Sequence, residues 1–424
     1  MNKPTSRNPW AWIPSLYFAE GLPYVLVMTV SVIMYKRLDI SNTDIALYTS
    51  WLYLPWVFKP FWSPFVDILR TKRFWIICMQ LIVGAALAGV AFTLPGSSFF
   101  KYSLAFFWLM AFSSATHDIA ADGFYMLGLS QGDQSFFVGI RNTFYRFAML
   151  AGQGPLVILA GYLENNSESI SSAWSMAFFA FSSLFVAFFL YHLLLLPYPA
   201  SDTKRENKDF GDILKNFGET IVSFFQKKGI GLAIVFLLVF RLGEAQLAKL
   251  ASPFMLDALE KGGLGLSTSD IGFVYGTAGI IALTLGGIVG GIVVSRHGLK
   301  RWLWPMVFAM NLPNLVYIFL ALVQTQNLAI ISTSVVVEQF GYGFGFTAYM
   351  LYMIQLADGK HKTAHYALCT GFMALGMMLP GMISGWIEDQ VGYLYFFIWV
   401  MICTLPGFMI APYLKIDPEF GKKN

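Results

Sequence analysis

The sequence predicts an all-α membrane protein of twelve transmembrane helices in two six-helix halves. Three observations predict it. The 424 residues are 57% hydrophobic and only 12% charged, far from a soluble composition. The apolar residues come in long blocks, each able to cross a hydrocarbon core of about 30 Å with roughly 20 helical residues. Polar signatures then recur between the first and second halves of the chain. The blocks are uniformly apolar, whereas the strands of a membrane β-barrel alternate apolar and polar residues.

Taken in order, spans are expected at 11–35, 44–64, 74–94, 101–127, 136–163, 173–196, 229–256, 268–294, 301–323, 328–356, 364–387 and 393–413. The polar start, 1–8, precedes a block too long and too aromatic for a cleaved signal, so it reads as a retained first span. Between spans six and seven, 197–228 opens with Pro197-Tyr198-Pro199 and carries Lys204, Arg205, Glu206, Lys208, Asp209 and Asp212. It reads as a charged connector with a short amphipathic helix at 213–225. The expected domains are therefore a six-helix bundle at 1–196, a cytoplasmic connector at 197–228 and a second bundle at 229–424.

Lysine and arginine collect on one side: Lys3, Arg7, Arg70, Lys72, Arg73, the connector, Arg296, Lys300, Arg301, Lys360, Lys362, Lys415, Lys422 and Lys423. That side is cytoplasmic by the positive-inside rule, and an even span count puts both termini there. Lys36 and Arg37 fall on the outer side against the rule, accompanied by Asp39 and Asp44. Cys78, Cys369 and Cys403 lie within apolar blocks and show neither a disulfide framework nor a metal spacing. No metal, cofactor or nucleic-acid partner is expected. The expected partners are a small-molecule solute, protons and the bilayer, with the chain acting as a monomer.

The internal repeat is clearest in two loops. Ser63-Pro64-Phe65-Val66-Asp67-Ile68-Leu69-Arg70-Thr71-Lys72-Arg73 follows span two. Gly291-Ile292-Val293-Val294-Ser295-Arg296-His297-Gly298-Leu299-Lys300-Arg301 follows span eight. Glu20 in span one likewise recurs as Glu244 in span seven. The two loops resemble the cytoplasmic motif of the major facilitator superfamily, small-x-x-x-Asp-Arg-x-Gly-x-Lys/Arg-Lys/Arg, and imply the major facilitator fold. The resemblance also implies that the motif's acid gates the cytoplasmic side. Ser295 replaces that acid in the second copy and supplies no charge, so the gate rests on Asp67, with Arg70, Arg296 and Arg301.

Further stretches narrow the resemblance. Phe18-Ala19-Glu20-Gly21-Leu22-Pro23, 58–67, 115–122, Tyr145-Arg146, 338–349 and Pro380-Gly381-Met382-Ile383-Ser384-Gly385-Trp386 together resemble the AmpG-type muropeptide permeases and their relatives, the acetyl-coenzyme A transporters. The resemblance covers nearly the whole chain. It implies import of anhydro-muropeptides from peptidoglycan turnover across the cell inner (cytoplasmic) membrane, driven by the proton gradient. Two departures stand out. The family usually has Gln where His117 stands, and a small residue near Glu20.

The residues themselves supply candidates, because an ionisable group at membrane depth faces a cavity or a partner. Asp118 and Asp122 share one helical face in 115–125. Asp118 with the neighbouring His117 suits proton work, since desolvation disfavours a charged carboxylate and imidazole titrates near neutrality. Glu20 and Glu338 complete the proton-coupling candidates. Asp122 reads equally as a gating residue or as a fixed partner of Arg146 or Arg141. Lys59 and Arg141, near span ends, read as snorkelling groups.

Tyr17 and Tyr24 flank Glu20 and could wall a sugar site. Arg146, Arg241 and Lys249 are the cations for a carboxylate-rich solute. Glu244 and Gln339 complete the substrate-binding set. The glycines at 341, 343 and 345 read as a close helix approach. A phosphate-cradling loop would need a following Lys-Ser/Thr.

A membrane-embedded enzyme would need a nucleophile or metal constellation, and His117-Asp118 are not on one face. An ATP-driven pump would need a P-loop. A membrane-embedded sensor or scaffold would not need the intramembrane charges. The expectation is thus a non-enzymatic secondary transporter working by alternating access, with a sugar, another glycopeptide or acetyl-coenzyme A as the alternative solutes.

Overall fold

The computed structural model describes residues 7–202 and 210–422. Among these the chain is helical throughout its ordered elements, with no strand. The helices are α1 (Pro9–Arg37), α2 (Asn42–Trp51), α3 (Leu54–Leu69), α4 (Lys72–Thr93), α5 (Phe99–Gly128), α6 (Gly132–Glu164) and α7 (Ile170–Leu195). They continue as α8 (Phe210–Phe225), α9 (Ile230–Leu256), α10 (Thr268–His297), α11 (Leu299–Val323), α12 (Leu328–Ala357) and α13 (Lys362–Tyr413). Helix covers the expected spans, with turns at 52–53 inside the second and at 240–241 inside the seventh. Among the described residues, eight helices are long and apolar enough by length and composition to cross a membrane. Their outer faces carry large exposed apolar side chains such as Phe92, Leu194 and Leu322, which in a bilayer meet lipid.

Local chemistry sets the boundaries. Ser41, Thr71, Ser130 and Ser169 each accept a hydrogen bond from a backbone N–H in the first turn of the following helix. Ser267 and Asp270 form a reciprocal capping box at the start of α10, satisfying donors that a helix start leaves open. Gly392, at φ 75°, breaks α13 where the gap between spans eleven and twelve is expected. Two helices widen into π turns, Leu26–Val30 in α1 and Gly272–Gly279 in α10. Pro23 lies inside α1 just before the first and removes a backbone donor.

The chain divides into two compact units. One comprises residues 1–34 and 58–209, the other 35–57 and 210–424. In the first, α4 packs on α5 and α7, and α1 on α6. Its core holds Trp12, Tyr17, Phe124 and Tyr125, all buried. In the second, α12 packs on α10 and α11, and α9 and α2 pack on α13. Its core is aromatic, with the rings of Phe240 and Tyr349 stacked at 5.1 Å.

Candidate functional site

In the first unit the acids come together from α1 and α5. Glu20 is 7% exposed, and its Oε2 has no hydrogen-bond partner. Burying a carboxylate oxygen without a partner costs about 1–3 kcal/mol or more, so the position is not one that packing alone would choose. Asp118 and Asp122 lie one turn apart on α5. The Oδ2 of Asp118 is 3.4 Å from Lys59 Nζ on α3. The Oδ1 of Asp122 is 3.0 Å from Arg141 Nη1 on α6 and accepts from the Tyr17 hydroxyl at 3.3 Å. Tyr17 in turn accepts from Arg141 at 3.1 Å, and the guanidinium lies 4.8 Å from its ring centre. Glu20 stands within electrostatic reach of both pairs.

The arrangement differs from the sequence reading in three places. Lys59 and Arg141 are not snorkelling ends; they are the partners of Asp118 and Asp122. Tyr17 is buried in this polar cluster and offers no open aromatic wall, while Tyr24 is half-buried beside it on α1. His117 turns away from Asp118, because adjacent helical residues point about 100° apart. Its Nε2 lies 3.0 Å from Gln80 Nε2. The Gln80 Oε1 is 2.9 Å from His192 Nδ1, and His192 Nε2 is 2.9 Å from Ser15 Oγ. One amide presenting N–H to one ring and oxygen to the other holds the two imidazoles in complementary roles. Gln80 and His192 gave no signal in the sequence, since each is a lone polar residue in an apolar span. Arg146 lies half-buried on α6, whereas the partner of Asp122 is Arg141.

The second unit is organised differently. Arg241 sits where α9 breaks between Val239 and Leu242. Its guanidinium donates to the Tyr342 hydroxyl and lies 5.4 and 5.0 Å from the ring centres of Tyr342 and Phe346. Arg241 Nε and Glu244 Oε2 have no hydrogen-bond partner. Glu338 Oε2 accepts from Gln339 Nε2 at 2.9 Å and from the Tyr317 hydroxyl at 3.4 Å. Tyr275, on the π turn of α10, is within electrostatic reach of Glu338 and bonded to Gln339. Lys249 is 3% exposed, donates to Thr49 Oγ1 at 2.9 Å and lies 5.3 Å from the Tyr53 ring centre. Among the described residues, none of Arg241, Glu244, Lys249 and Glu338 belongs to an ion pair.

The glycines of α12 make close helix contacts. A Cβ on Gly343 would lie 2.0 Å from the Leu283 carbonyl oxygen, so the run serves packing rather than phosphate binding. Of the gating candidates, the side chain of Asp67 lies outside the described residues. Arg70 is exposed with its guanidinium 5.4 Å from the Phe74 ring centre. Arg296 and Arg301 are exposed on either side of the Gly298 turn, where φ is 82°.

Membrane-length helices with acids and cations buried along them mark a class, the multi-pass membrane transporters, and comparison with known proteins agrees. The chain belongs to the Major Facilitator Superfamily, whose family model matches residues 15–366. It is 26% identical over 416 residues to the putative transporter AmpG 4 of Rickettsia conorii, covering 94% of this chain and 95% of the relative. It is 23% identical over 420 residues to the anhydromuropeptide permease of Escherichia coli K12, covering 96% of this chain and 80% of the relative. Among solved structures it superposes on a D-xylose–proton symporter with a TM-score of 0.73 at 9% identity, covering 98% of this chain and 99% of the other. The nucleoside transporter NupG gives a TM-score of 0.69 at 14% identity, covering 96% of this chain and 98% of the other.

Proposed function

We propose that this transporter imports anhydro-muropeptides across the cell inner membrane by alternating access, with the proton gradient as the driving force and both termini in the cytoplasm. The observation that carries the coupling is Glu20, a buried carboxylate with one unpartnered oxygen, set within reach of two acid–base pairs. Adding a proton there, or at Asp118, removes a charge that burial penalises, and it frees Lys59 or Arg141 from competition between neighbouring acids. Glu338, held by Gln339 and Tyr317, is a further proton site.

Arg241 and Lys249 carry the substrate part of the reading. Among the described residues these buried cations form no ion pair, Glu244 being only within electrostatic reach of Arg241, and a carboxylate-bearing peptide supplies a direct partner. Guanidinium binds carboxylate through two parallel hydrogen bonds, and the aromatic rings of Tyr342 and Phe346 hold that guanidinium in place. Likeness to relatives that are named for anhydromuropeptide transport, over almost the whole chain, supports this solute over a plain sugar.

The test is uptake into proteoliposomes of labelled anhydro-muropeptide, with and without an imposed inward proton gradient, against a sugar, a glycopeptide and acetyl-coenzyme A. Gradient-stimulated accumulation of the muropeptide is the expected result. Accumulation of one of the other solutes in its place, or uptake indifferent to the gradient, would overturn the substrate or the coupling part respectively.

A further inference from the structure

Two buried imidazoles of the first unit stand apart from its ion pairs. His117 is 3% exposed and His192 is fully buried. Both touch Gln80 on α4, His117 through Nε2 at 3.0 Å and His192 through Nδ1 at 2.9 Å. Beyond His192 the column continues to Ser15 Oγ at 2.9 Å, and from there to the Trp12 carbonyl at 3.3 Å. It ends near the basic loops. Arg73, at the start of α4, donates to the Leu193 carbonyl at the end of α7, and the Tyr191 hydroxyl donates to the Ala11 carbonyl at the start of α1. Ser15 is half-buried at this end, whereas the ring nitrogen at the far end, His117 Nδ1, is buried and has no hydrogen-bond partner.

The hydrogens of this column are constrained one by one. A carboxamide offers N–H on one side and oxygen on the other. With its oxygen on His192, Gln80 requires a proton on His192 Nδ1 and a bare Nε2 on His117, whose own proton then sits on Nδ1. A second proton on His192, at Nε2, is accommodated without loss of a bond. Ser15 Oγ accepts it and turns its hydroxyl to the Trp12 carbonyl. A second proton on His117 is not accommodated, because its Nε2–H would face the amide N–H group. It requires Gln80 to turn over, and the turned amide presents N–H to His192 Nδ1, which must then be bare. Each orientation of Gln80 thus admits a cationic imidazole on one side only.

The surroundings of the two seats differ. His192 lies in the last turn of α7, where the helix dipole favours a cation, and its ring stacks on Phe188 with centres 6.1 Å apart. Charged groups reach the column from two sides. Arg73 on α4 holds the Leu193 and Leu196 carbonyls just beyond His192. Lys59 on α3 is within electrostatic reach of His117, as His117 is of His192. On α5, Asp118 follows His117 but points away from it. A proton on His117 therefore sets a charge beside the Lys59–Asp118 pair, and a proton on His192 sets it at the basic-loop end instead.

We infer that Gln80 makes His117 and His192 one shared proton site, in which a proton taken up at His192 from the side of the basic loops excludes a proton at His117. Uptake forms one N–H bond at His192 Nε2 as a hydronium ion gives up its proton through Ser15. The site thereby reports the proton concentration on that side to the edge of the Lys59–Asp118 pair. In the proposed orientation that side is the cytoplasm, so acid gathering there withdraws the charge from His117 and slows uptake. This consequence rests on the proposed proton coupling; the sharing of the proton does not.

The test is nitrogen NMR of the full-length protein carrying isotopically labelled histidine, with the two rings assigned through His117→Gln and His192→Gln. It is titrated from about pH 8 to about pH 5, the range in which imidazole changes charge. His192 alone should become imidazolium, and as it does so the His117 proton should settle on Nδ1. Gln80→Leu should let the two rings titrate independently. Both rings charging together in the parent overturns the sharing, as does neither charging, His117 charging in place of His192, or a His117 tautomer indifferent to His192. If Gln80→Leu does not fold, the titration of the parent decides alone. In proteoliposomes held at a constant pH difference, acidifying the lumen by about one unit should slow uptake about threefold in the parent, and His192→Gln should lose that dependence. Equal dependence in both overturns the regulatory consequence. Uptake by the parent that is indifferent to the gradient would strike the proposed coupling and leave the NMR readout intact.

Discussion

The two units hold the same kind of residue in opposite arrangements. In the first, among the described residues, Asp118 pairs with Lys59 and Asp122 with Arg141, and Glu20 stands within electrostatic reach of both pairs. In the second, Arg241, Lys249, Glu244 and Glu338 are all buried and, among the described residues, none is in an ion pair, though Glu244 is within electrostatic reach of Arg241. Yet the sequence pattern sets Glu20 and Glu244 at matching places in the two halves of the chain. The difference teaches that acids at matching places in the sequence pattern stand in different surroundings. On the proposed function, Glu20 of the first unit is the group that takes and releases protons. On the same reading, Arg241 and Lys249 of the second unit are the groups that meet the solute's carboxylates. Buried charges persist only when something compensates them, and here the compensating group differs between the units.

The largest expected effect breaks the comparison most directly. Glu20→Gln should lower gradient-driven accumulation in proteoliposomes by tenfold or more while leaving solute counterflow within about twofold. Glu244→Gln should not. Equal losses of accumulation in the two variants would mean that coupling is not confined to the first unit.

Next in size is Arg241→Ala, which should raise KM for the carboxylate-bearing solute about tenfold, equivalent to about 1.4 kcal/mol, with a smaller change in maximal rate. A solute whose carboxylates are amidated should show little difference between Arg241→Ala and the parent. If both solutes lose affinity equally, Arg241 is a packing residue.

Stability sharpens the picture of the first unit. Lys59→Met leaves Asp118 without the cation at 3.4 Å and should cost about 2 kcal/mol, less than the roughly 3–5 kcal/mol of a fully buried broken pair, because the lysine side chain is 27% exposed. Adding Asp118→Asn should recover most of the loss in thermal midpoint. The smallest effect is expected at Arg141→Lys. The partner Asp122 side chain is 43% exposed, and pairs of that kind contribute about 0–1 kcal/mol. A shift of the midpoint beyond a few degrees would show that the Tyr17 ring contact, and not the charge pair, dominates there.

How much of this was legible in the sequence depends on the range of the interaction. The fold class, the helices and the pseudo-repeat were readable, because hydropathy blocks, caps and loop motifs are local signals. The gap between spans eleven and twelve was expected from hydropathy, and Gly392 breaks the helix there. The identity of the ionisable residues at membrane depth was readable too, since charge inside an apolar run is conspicuous. Their partners were not. Lys59 and Arg141 were read as end groups because sequence shows depth along a helix only coarsely. His117 was read with Asp118 because they are neighbours in the chain, whereas on a helix neighbours diverge. Gln80 and His192 become visible only when α4 and α7 are brought together.

The sequence by itself therefore determined that this chain is a multi-pass helical protein carrying acids and cations within its spans. Those follow from transfer free energies and helical geometry, which act residue by residue. Tertiary structure alone decided which acid meets which cation, that Glu20 keeps an unpartnered oxygen, that among the described residues Arg241 and Lys249 form no ion pair, and that Lys36, Asn42, Asp257, Glu388 and Tyr393 converge. Electrostatic pairing depends on distances of a few ångströms between helices far apart in sequence, and no period or motif along the chain encodes those distances.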